Sequence, residues 1–357
     1  MKKVYSFNPN PEDAYIEITN RCNQKCPYCY NPPKKEDLDY EKIINIINAI
    51  SGKSVTFSGG EPFLYEKLDL LLQYCNNRKI IPLIITNGTI MPTKKLLDII
   101  TEVKASIQLT IDSHIPYIHN KTRGSGSFES MVKFIEILRE NNWDGELRIR
   151  MNIYSSNISQ VKEVCELAKK INANRFSASF LTLAGNAEKF SDKFQNMDIE
   201  FNAISKYDGR ELTSEFDMPI SIDGCGVFLC GLCDENELTV NASPRITALG
   251  EVYPCLGFYT SEFLMGNVYD RSISDILMSD KSSKIRTMLA LRNNFTNCNN
   301  CVCKSVCPKG CPASAYNHYN TILAPGLSCI AMKKDYTSKI LSTRKGNNRS
   351  HIQDGSL

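Results

Sequence analysis

Six short apolar runs alternate with amphipathic ones through the first half of this chain, and that order leaves few folds open. The runs are "AYIEIT" (14–19), "SVTFS" (54–58), "IPLIITN" (81–87), "SIQLTID" (106–112), "ELRIRMNI" (146–153) and "RFSASFLTL" (175–183). Each is rich in the β-branched and aromatic residues that strands favour. Between them, "YEKIINIINAIS", "KLDLLLQYCNN", "KKLLDIITEV", "FESMVKFIEILRENN" and "ISQVKEVCELAKKI" repeat apolar residues at three and four positions, the helical period. Strands in strict alternation with helices imply an α/β fold with a parallel sheet and right-handed crossovers. Such sheets hold ligands at the C-terminal ends of their strands, in the loops that follow.

The loop after the first strand reads "ITNRCNQKCPYCYNP", with Cys22, Cys26 and Cys29 inside eight positions. Of fifteen cysteines, only Cys75 and Cys165 fall between residues 30 and 224; both lie in predicted helices and read as small core residues. The other ten lie between 225 and 329. No apolar run reaches the roughly 18 residues of a spanning helix, and no apolar segment follows the N-terminal lysines as in a signal peptide. The expected location is therefore the cytoplasm, where thiols stay reduced and clustered cysteines bind metal rather than pair. A net charge of +3 gives no argument for a nucleic-acid or membrane partner. Two modules, each with its own metal chemistry, follow from this distribution.

Thiolates hold iron–sulfur clusters, normally four to a cubane, so three leave one iron open to a small molecule. A zinc knuckle completed by a distant ligand is the plainer alternative. The spacing Cys22-x3-Cys26-x2-Cys29, with Tyr28 before the last cysteine, resembles the signature of the radical S-adenosylmethionine (radical SAM) superfamily. "SGGEP" (58–62) after the second strand resembles that family's methionine-binding motif, and two adjacent glycines let backbone approach a ligand closely. "TNG" (86–88) ends the third strand. "TID" (110–112) ends the fourth, where many relatives carry serine, a hydrophobic residue and aspartate. "HNKTRGSGSF" (119–128) resembles the next loop of peptide-modifying members.

The resemblance covers roughly residues 14–185 and implies a partial (β/α)6 TIM-like barrel. It implies that Cys22, Cys26 and Cys29 hold a [4Fe-4S] cluster whose open iron binds S-adenosylmethionine. Tyr28 would lie against the adenine, with Ser58, Gly59, Gly60 and Glu61 at the methionine end and Glu61 near the amino group. Thr110 and Arg123 are candidates for the carboxylate, Asp112 for supporting the loop, and Asn152 for facing the ribose. Ordinary loop or cap roles for Arg123 and Asn152, and a plain strand role for Thr110, stay open.

A polar bridge at 187–219 separates this core (1–186) from a cysteine-rich module at 220–331, with a basic, flexible tail at 332–357. The module contains "LGEVYPC", with turn glycine Gly250, and then Cys298-x2-Cys301-x5-Cys307-x3-Cys311, followed by Cys329. The series closely resembles the SPASM domain, which carries two auxiliary [4Fe-4S] clusters. "MGNVYDRSISDIL" (265–277) looks like that domain's connecting segment. The resemblance assigns Cys298, Cys301, Cys307 and Cys329 to the outer cluster. Cys311 and Cys255 go to the inner one, with two of Cys225, Cys230 and Cys233, of which Cys230 and Cys233 are preferred. Cys303 has no place in the pattern. A pair of zinc ribbons is the plainer alternative.

Together the resemblances imply an enzyme with S-adenosylmethionine and three [4Fe-4S] clusters as cofactors, fed by a reductant such as flavodoxin or ferredoxin. Its 5′-deoxyadenosyl radical would take hydrogen from an unactivated C–H bond. SPASM relatives mostly act on peptides or protein side chains. The expected substrate is thus a ribosomally made peptide that gains a thioether or carbon–carbon crosslink, or another oxidation. Its leader would be held by a separate protein, by the barrel, or not at all. A sulfatase-maturing enzyme is the alternative, although those usually carry aspartate after the cysteine matching Cys255, where this chain has Leu256. An iron–sulfur carrier or electron-transfer protein would use the same cysteines but needs neither an open iron nor "SGGEP".

Overall fold

The computed structural model describes residues 4–181, 184–190, 207, 209–222, 230–234, 236–291, 300, 301, 310–325 and 329. After a short strand β1 (Ser6–Phe7), the six expected strands follow as β2 (Tyr15–Thr19), β3 (Ser54–Gly59), β4 (Ile81–Thr86), β5 (Ser106–Thr110), β6 (Leu147–Ile153) and β7 (Arg175–Phe180). From β2 onward each pairs in parallel with the next. Between them run α1 (Tyr40–Ala49), α2 (Leu68–Asn77), α3 (Lys94–Glu102), α4 (Pro116–Arg123), α5 (Ser127–Glu140) and α6 (Val161–Lys170). Only α4 has no counterpart among the sequence-predicted helices.

The two faces of this sheet differ, and β6 shows how. Leu147, Ile149, Met151 and Ile153 are buried, while Arg148, Arg150 and Asn152, on the opposite face, are only half-buried. The two-residue period of a strand sorts them. The apolar face lies under the helices in one core, with Ile43, Ile46 and Ile47 of α1 and Leu71, Leu72 and Cys75 of α2. Cys165 of α6 sits in the same core, and burial pushes both its thiol and that of Cys75 up to about 12. The polar face forms the wall of a cavity.

The sheet continues beyond the six strands. After α7 (Gly209–Phe216), β8 (Ile220–Ile222) pairs in parallel with β7. At the other edge, β10 (Arg245–Ile246) pairs in parallel with β2. It is followed antiparallel by β11 (Glu251–Tyr253) and β12 (Gly266–Asn267). Among the described residues the sheet has ten strands, in the order β12-β11-β10-β2-β3-β4-β5-β6-β7-β8. A separate parallel pair joins β1 to β9 (Thr239–Val240), so the N-terminal segment is tied to the second module.

Helices α8 (Ile273–Leu277), α9 (Asp280–Ala290) and α10 (Pro312–Tyr319) complete the second module. Arg286 of α9 is fully buried. It donates to the carbonyls of Leu232 at 3.1 Å, Asp234 at 2.7 Å and Glu237 at 2.6 Å, and lies over the Tyr5 ring. These charge-assisted bonds offset only part of its desolvation: burial lowers its pKa, and its Nε has no hydrogen-bond partner among the described residues. The three bonds pin the turn that carries Cys233. Among the described residues, no helix is long and apolar enough to cross a membrane.

Candidate active site

The cysteine loop leaves β2 and is clamped at its base. Arg21 grips Asp37 through two bonds, Nε to Oδ1 at 3.0 Å and Nη2 to Oδ2 at 2.6 Å, and Nη2 also reaches the Leu64 carbonyl at 2.7 Å. The end of β3 presses against the same segment. Gly60 N donates to Thr19 O at 2.7 Å and Glu61 N to Arg21 O at 2.8 Å. A Cβ on Gly59 would lie 2.1 Å from Thr19 O, and one on Gly60 2.2 Å from Arg21 O. The chain's own backbone, and not only a ligand, therefore demands both glycines of "SGGEP". A third close approach comes from Gly185, whose Cβ would meet Tyr30 O at 2.3 Å, while Asn186 N donates to Cys29 O. Sequence reasoning missed that clamp, because a lone glycine carries no motif.

Cys22, Cys26 and Cys29 line a cavity of about 340 Å³ together with Tyr28, Ser58, Gly59, Gly60, Thr110, Arg123 and Asn152. Across it stand Leu256, Gly257 and Tyr259 of the second module. Glu61 is fully buried behind this wall. It accepts from Thr86 Oγ1 at 2.7 Å, Asn87 N at 2.8 Å and Phe63 N at 3.1 Å. Burial raises its carboxyl to about 7, against the pull of those donors. Tyr15 donates to Ser58 at 2.6 Å.

Asp112 is the hub of the wall. It is fully buried, and its Oδ2 accepts from the Tyr28 hydroxyl, from Arg123 Nε at 3.2 Å and from Thr122 Oγ1 at 3.3 Å. Arg123 Nε also reaches Tyr28 Oη at 3.0 Å. On the other side, Asn152 donates to Asp112 Oδ1 from both its backbone and its side chain at 3.4 Å. His119 of α4 accepts from Asp112 N at Nδ1, a bond that needs a neutral ring. Burial supplies one by lowering its pKa to about 4. Three of the eight residues expected at the cofactor, Tyr28, Arg123 and Asn152, thus meet through the Asp112 carboxylate.

Burial raises all three loop thiols, Cys29 to about 12; Cys22 also feels the charge of Cys26, and Cys29 that of both. The second module shows the same behaviour. Cys230 is raised first by its hydrogen bond to Cys233, then by burial and by Cys233, Cys311 and Cys255. Burial and then Cys311 raise Cys255 to about 12. The four cysteines expected at the inner cluster are therefore neighbours. Cys311 caps α10, its Sγ accepting from Ser314 N at 3.5 Å, and a helix N-terminus favours a thiolate. Cys301 and Cys329 are half-exposed. Cys225, Cys298, Cys303 and Cys307 lie outside the described residues.

Among the described residues, no three His, Cys, Asp or Glu side chains converge as a single metal ion requires. A four-iron cluster takes each thiolate on a different iron, so its ligands stand further apart. Three thiols on a cavity wall with an open side, and four neighbouring thiols in the second module, fit such clusters. The cavity, mostly apolar but with Arg123 and Arg150 in its lining, fits a small ligand that carries a carboxylate.

The radical SAM superfamily model matches residues 16–168, and the iron–sulfur cluster-binding SPASM model matches 239–302. The chain carries a radical SAM superfamily domain followed by a SPASM domain. The radical SAM domain binds S-adenosylmethionine and a [4Fe-4S] cluster, and the SPASM domain binds auxiliary iron–sulfur clusters. Curated proteins similar to it include the antilisterial bacteriocin subtilosin biosynthesis protein AlbA of Bacillus subtilis. That match is 25% identical over 78% of this chain, which spans only 62% of the relative's length. The mycofactocin maturase MftC of Mycobacterium tuberculosis is 22% identical over 88% of this chain and 81% of its own. Among solved structures, Streptococcus suis SuiB bound to precursor peptide SuiA superposes with a TM-score of 0.68 at 18% identity, covering 91% of this chain and 76% of that one. Native anSMEcpe with bound AdoMet gives 0.70 at 18%, covering 94% and 99%. At these identities the solved structures show the fold.

Proposed function

We propose that this radical SAM enzyme matures a ribosomally made peptide, forming a thioether or carbon–carbon crosslink or another oxidised product. One observation carries the reading: a single cavity is lined both by the cysteine loop and by Leu256 and Gly257, which follow Cys255. A side chain placed there lies between both thiol sites. The names of AlbA and MftC, a bacteriocin biosynthesis protein and a maturase, support it.

When bound, the cluster and S-adenosylmethionine supply a 5′-deoxyadenosyl radical that takes hydrogen from the substrate. The chain's own residues orient and shield. Cys22, Cys26 and Cys29 are the ligands of that cluster. Arg123, fixed by Asp112 and Tyr28, presents its guanidinium at the cavity beside the loop. Asn152, fixed by Asp112, offers an amide to hydroxyl groups. Tyr28, Phe180 and Leu181 keep the wall apolar, which limits water. Glu61 holds the β3–β4 loops together and stands within one residue of the glycine wall. Cys230, Cys233, Cys255 and Cys311 serve the inner auxiliary cluster, and Cys298, Cys301, Cys307 and Cys329 the outer one. A flavodoxin or ferredoxin is the expected reductant, and a leader would be held by a separate protein, by the barrel, or not at all.

The sulfatase-maturing alternative is disfavoured by the cavity itself. Among the described residues no aspartate or glutamate lines it, and Leu256 offers no base where that class carries a carboxylate. A carrier protein has no use for the cavity. The deciding experiment is anaerobic incubation of the reconstituted enzyme with S-adenosylmethionine, a strong reductant and a candidate peptide. 5′-Deoxyadenosine together with a peptide two mass units lighter is the expected result. Cluster loading with neither product would return the chain to the carrier class.

A further inference from the structure

Most polar side chains on the cavity wall are already engaged: Ser58 by Tyr15, Thr86 by Glu61, Asn87 by Asn23 and Thr89, and Arg123 and Asn152 by Asp112. Three are not. Gln108, Thr110 and Arg150 line the cavity, and among the described residues none of their side chains has a partner. They are contiguous. In the register of β5 and β6, Thr110 stands opposite Arg150, and Gln108 is its diagonal neighbour. The arginines further back along the same strand register, outside the cavity lining, differ: Arg148 at 2.6 Å and Arg175 at 3.4 Å share Glu146. Arg150 alone of the three faces a cavity without a carboxylate in its lining.

A half-buried guanidinium without a counter-charge costs free energy, and its planar fork matches a carboxylate through two bonds. A threonine hydroxyl and a glutamine amide beside it add two neutral donors. Arg150 is two residues before Asn152, roughly 6–7 Å further along the strand from the cysteine end. It is thus set back from Arg123, which stands beside the loop. We infer that Arg150, with Thr110 and Gln108, forms a subsite for a carboxylate of the substrate peptide, either an acidic side chain or the C-terminus.

This rests on the peptide-maturing reading, and binding without turnover tests it. Cluster-loaded enzyme with S-adenosylmethionine and no reductant is titrated calorimetrically with three acetylated pentapeptides. One has a central glutamate and an amidated end, the second a central glutamine and an amidated end, and the third a central glutamine and a free carboxylate end. At least one acidic peptide should bind about tenfold tighter than the neutral one, and which one identifies the source. Arg150→Met should erase that preference while leaving S-adenosylmethionine affinity within twofold, and Arg150→Lys should retain part of it. Equal binding of all three by the wild type overturns the subsite and leaves the peptide reading standing. A tenfold loss of S-adenosylmethionine affinity in Arg150→Met, with the peptide ranking intact, overturns it by giving the carboxylate to the cofactor. Failure of every peptide to bind while S-adenosylmethionine binds overturns both the subsite and the peptide reading.

Discussion

The two thiol sites of this enzyme are built on different principles. The cysteine loop at Cys22–Cys29 leaves a ten-stranded sheet and is held by Arg21–Asp37, by Gly185 and by the Asp112 hub. None of those contacts needs a metal. The SPASM site hangs on strands of two or three residues and a single turn, Gly231–Cys233, braced by Arg286. Among its described residues, Cys311 also caps helix α10. The first site is a scaffold that receives a cluster; the second is one the cluster helps to fold, as in other small cysteine-rich modules.

The largest effect that distinguishes them comes from replacing Cys22, Cys26 and Cys29 by alanine together. Formation of 5′-deoxyadenosine should vanish, while about eight irons remain bound and the melting temperature barely moves. A large fall in that temperature would break the comparison. Next, Cys311→Ala should lose about four irons and melt earlier, and should reduce peptide product far more than cofactor cleavage. Equal loss of both activities in a folded variant would deny this cluster a part in product formation.

Within the first site, Asp112→Asn leaves Arg123 without its counter-charge in a buried setting. A loss of about 3–5 kcal/mol is expected from urea melts, with weaker S-adenosylmethionine binding. Glu61 sharpens the contrast through pH. Its folded carboxyl is raised to about 7 from an ordinary 4.5, so the folded state holds a proton that the unfolded state releases. Its contribution is fully present below pH 4.5 and lost as pH rises through 7. The difference between wild type and Glu61→Gln in metal-free protein should therefore change by about 3 kcal/mol across that window. A flat difference would mean that Glu61 stays ionised. Smallest, Thr93→Ala removes the side-chain cap of α3, which accepts from Leu96 N, and should cost about 1 kcal/mol without touching either site.

The six strands and five of the helices were legible because each is long enough to display its period. Helix α4, "PYIHNKTR", is not apolar on any sustained face, so its pattern looked like a loop. Strands β8 to β12 span only two or three residues, too few for alternation to appear. The cysteines were legible because thiolate chemistry needs one residue type at fixed spacing. Glu17 and Arg245 were not. They form a buried ion pair at 2.8 Å across 228 positions, with Tyr30 and Tyr259 over the guanidinium. Nor does any spacing reveal that Glu146 takes Arg148 and Arg175 and leaves Arg150 alone. Those facts belong to register and tertiary contact.

The pairing of β1 with β9 also sets a clock. Ser6 meets Thr239 across 233 positions, and β2 gains its outer neighbour only when Arg245 and Ile246 exist. At cellular rates of about 5–20 residues per second, the ribosome needs on the order of 10–50 s to bridge that gap. For that time the nascent barrel carries β2 as an unpaired strand edge, the kind of surface that invites pairing with another chain. Translation speed through residues 190–245, and any chaperone that covers this edge, should therefore govern the yield of soluble enzyme more than the stability of the finished fold.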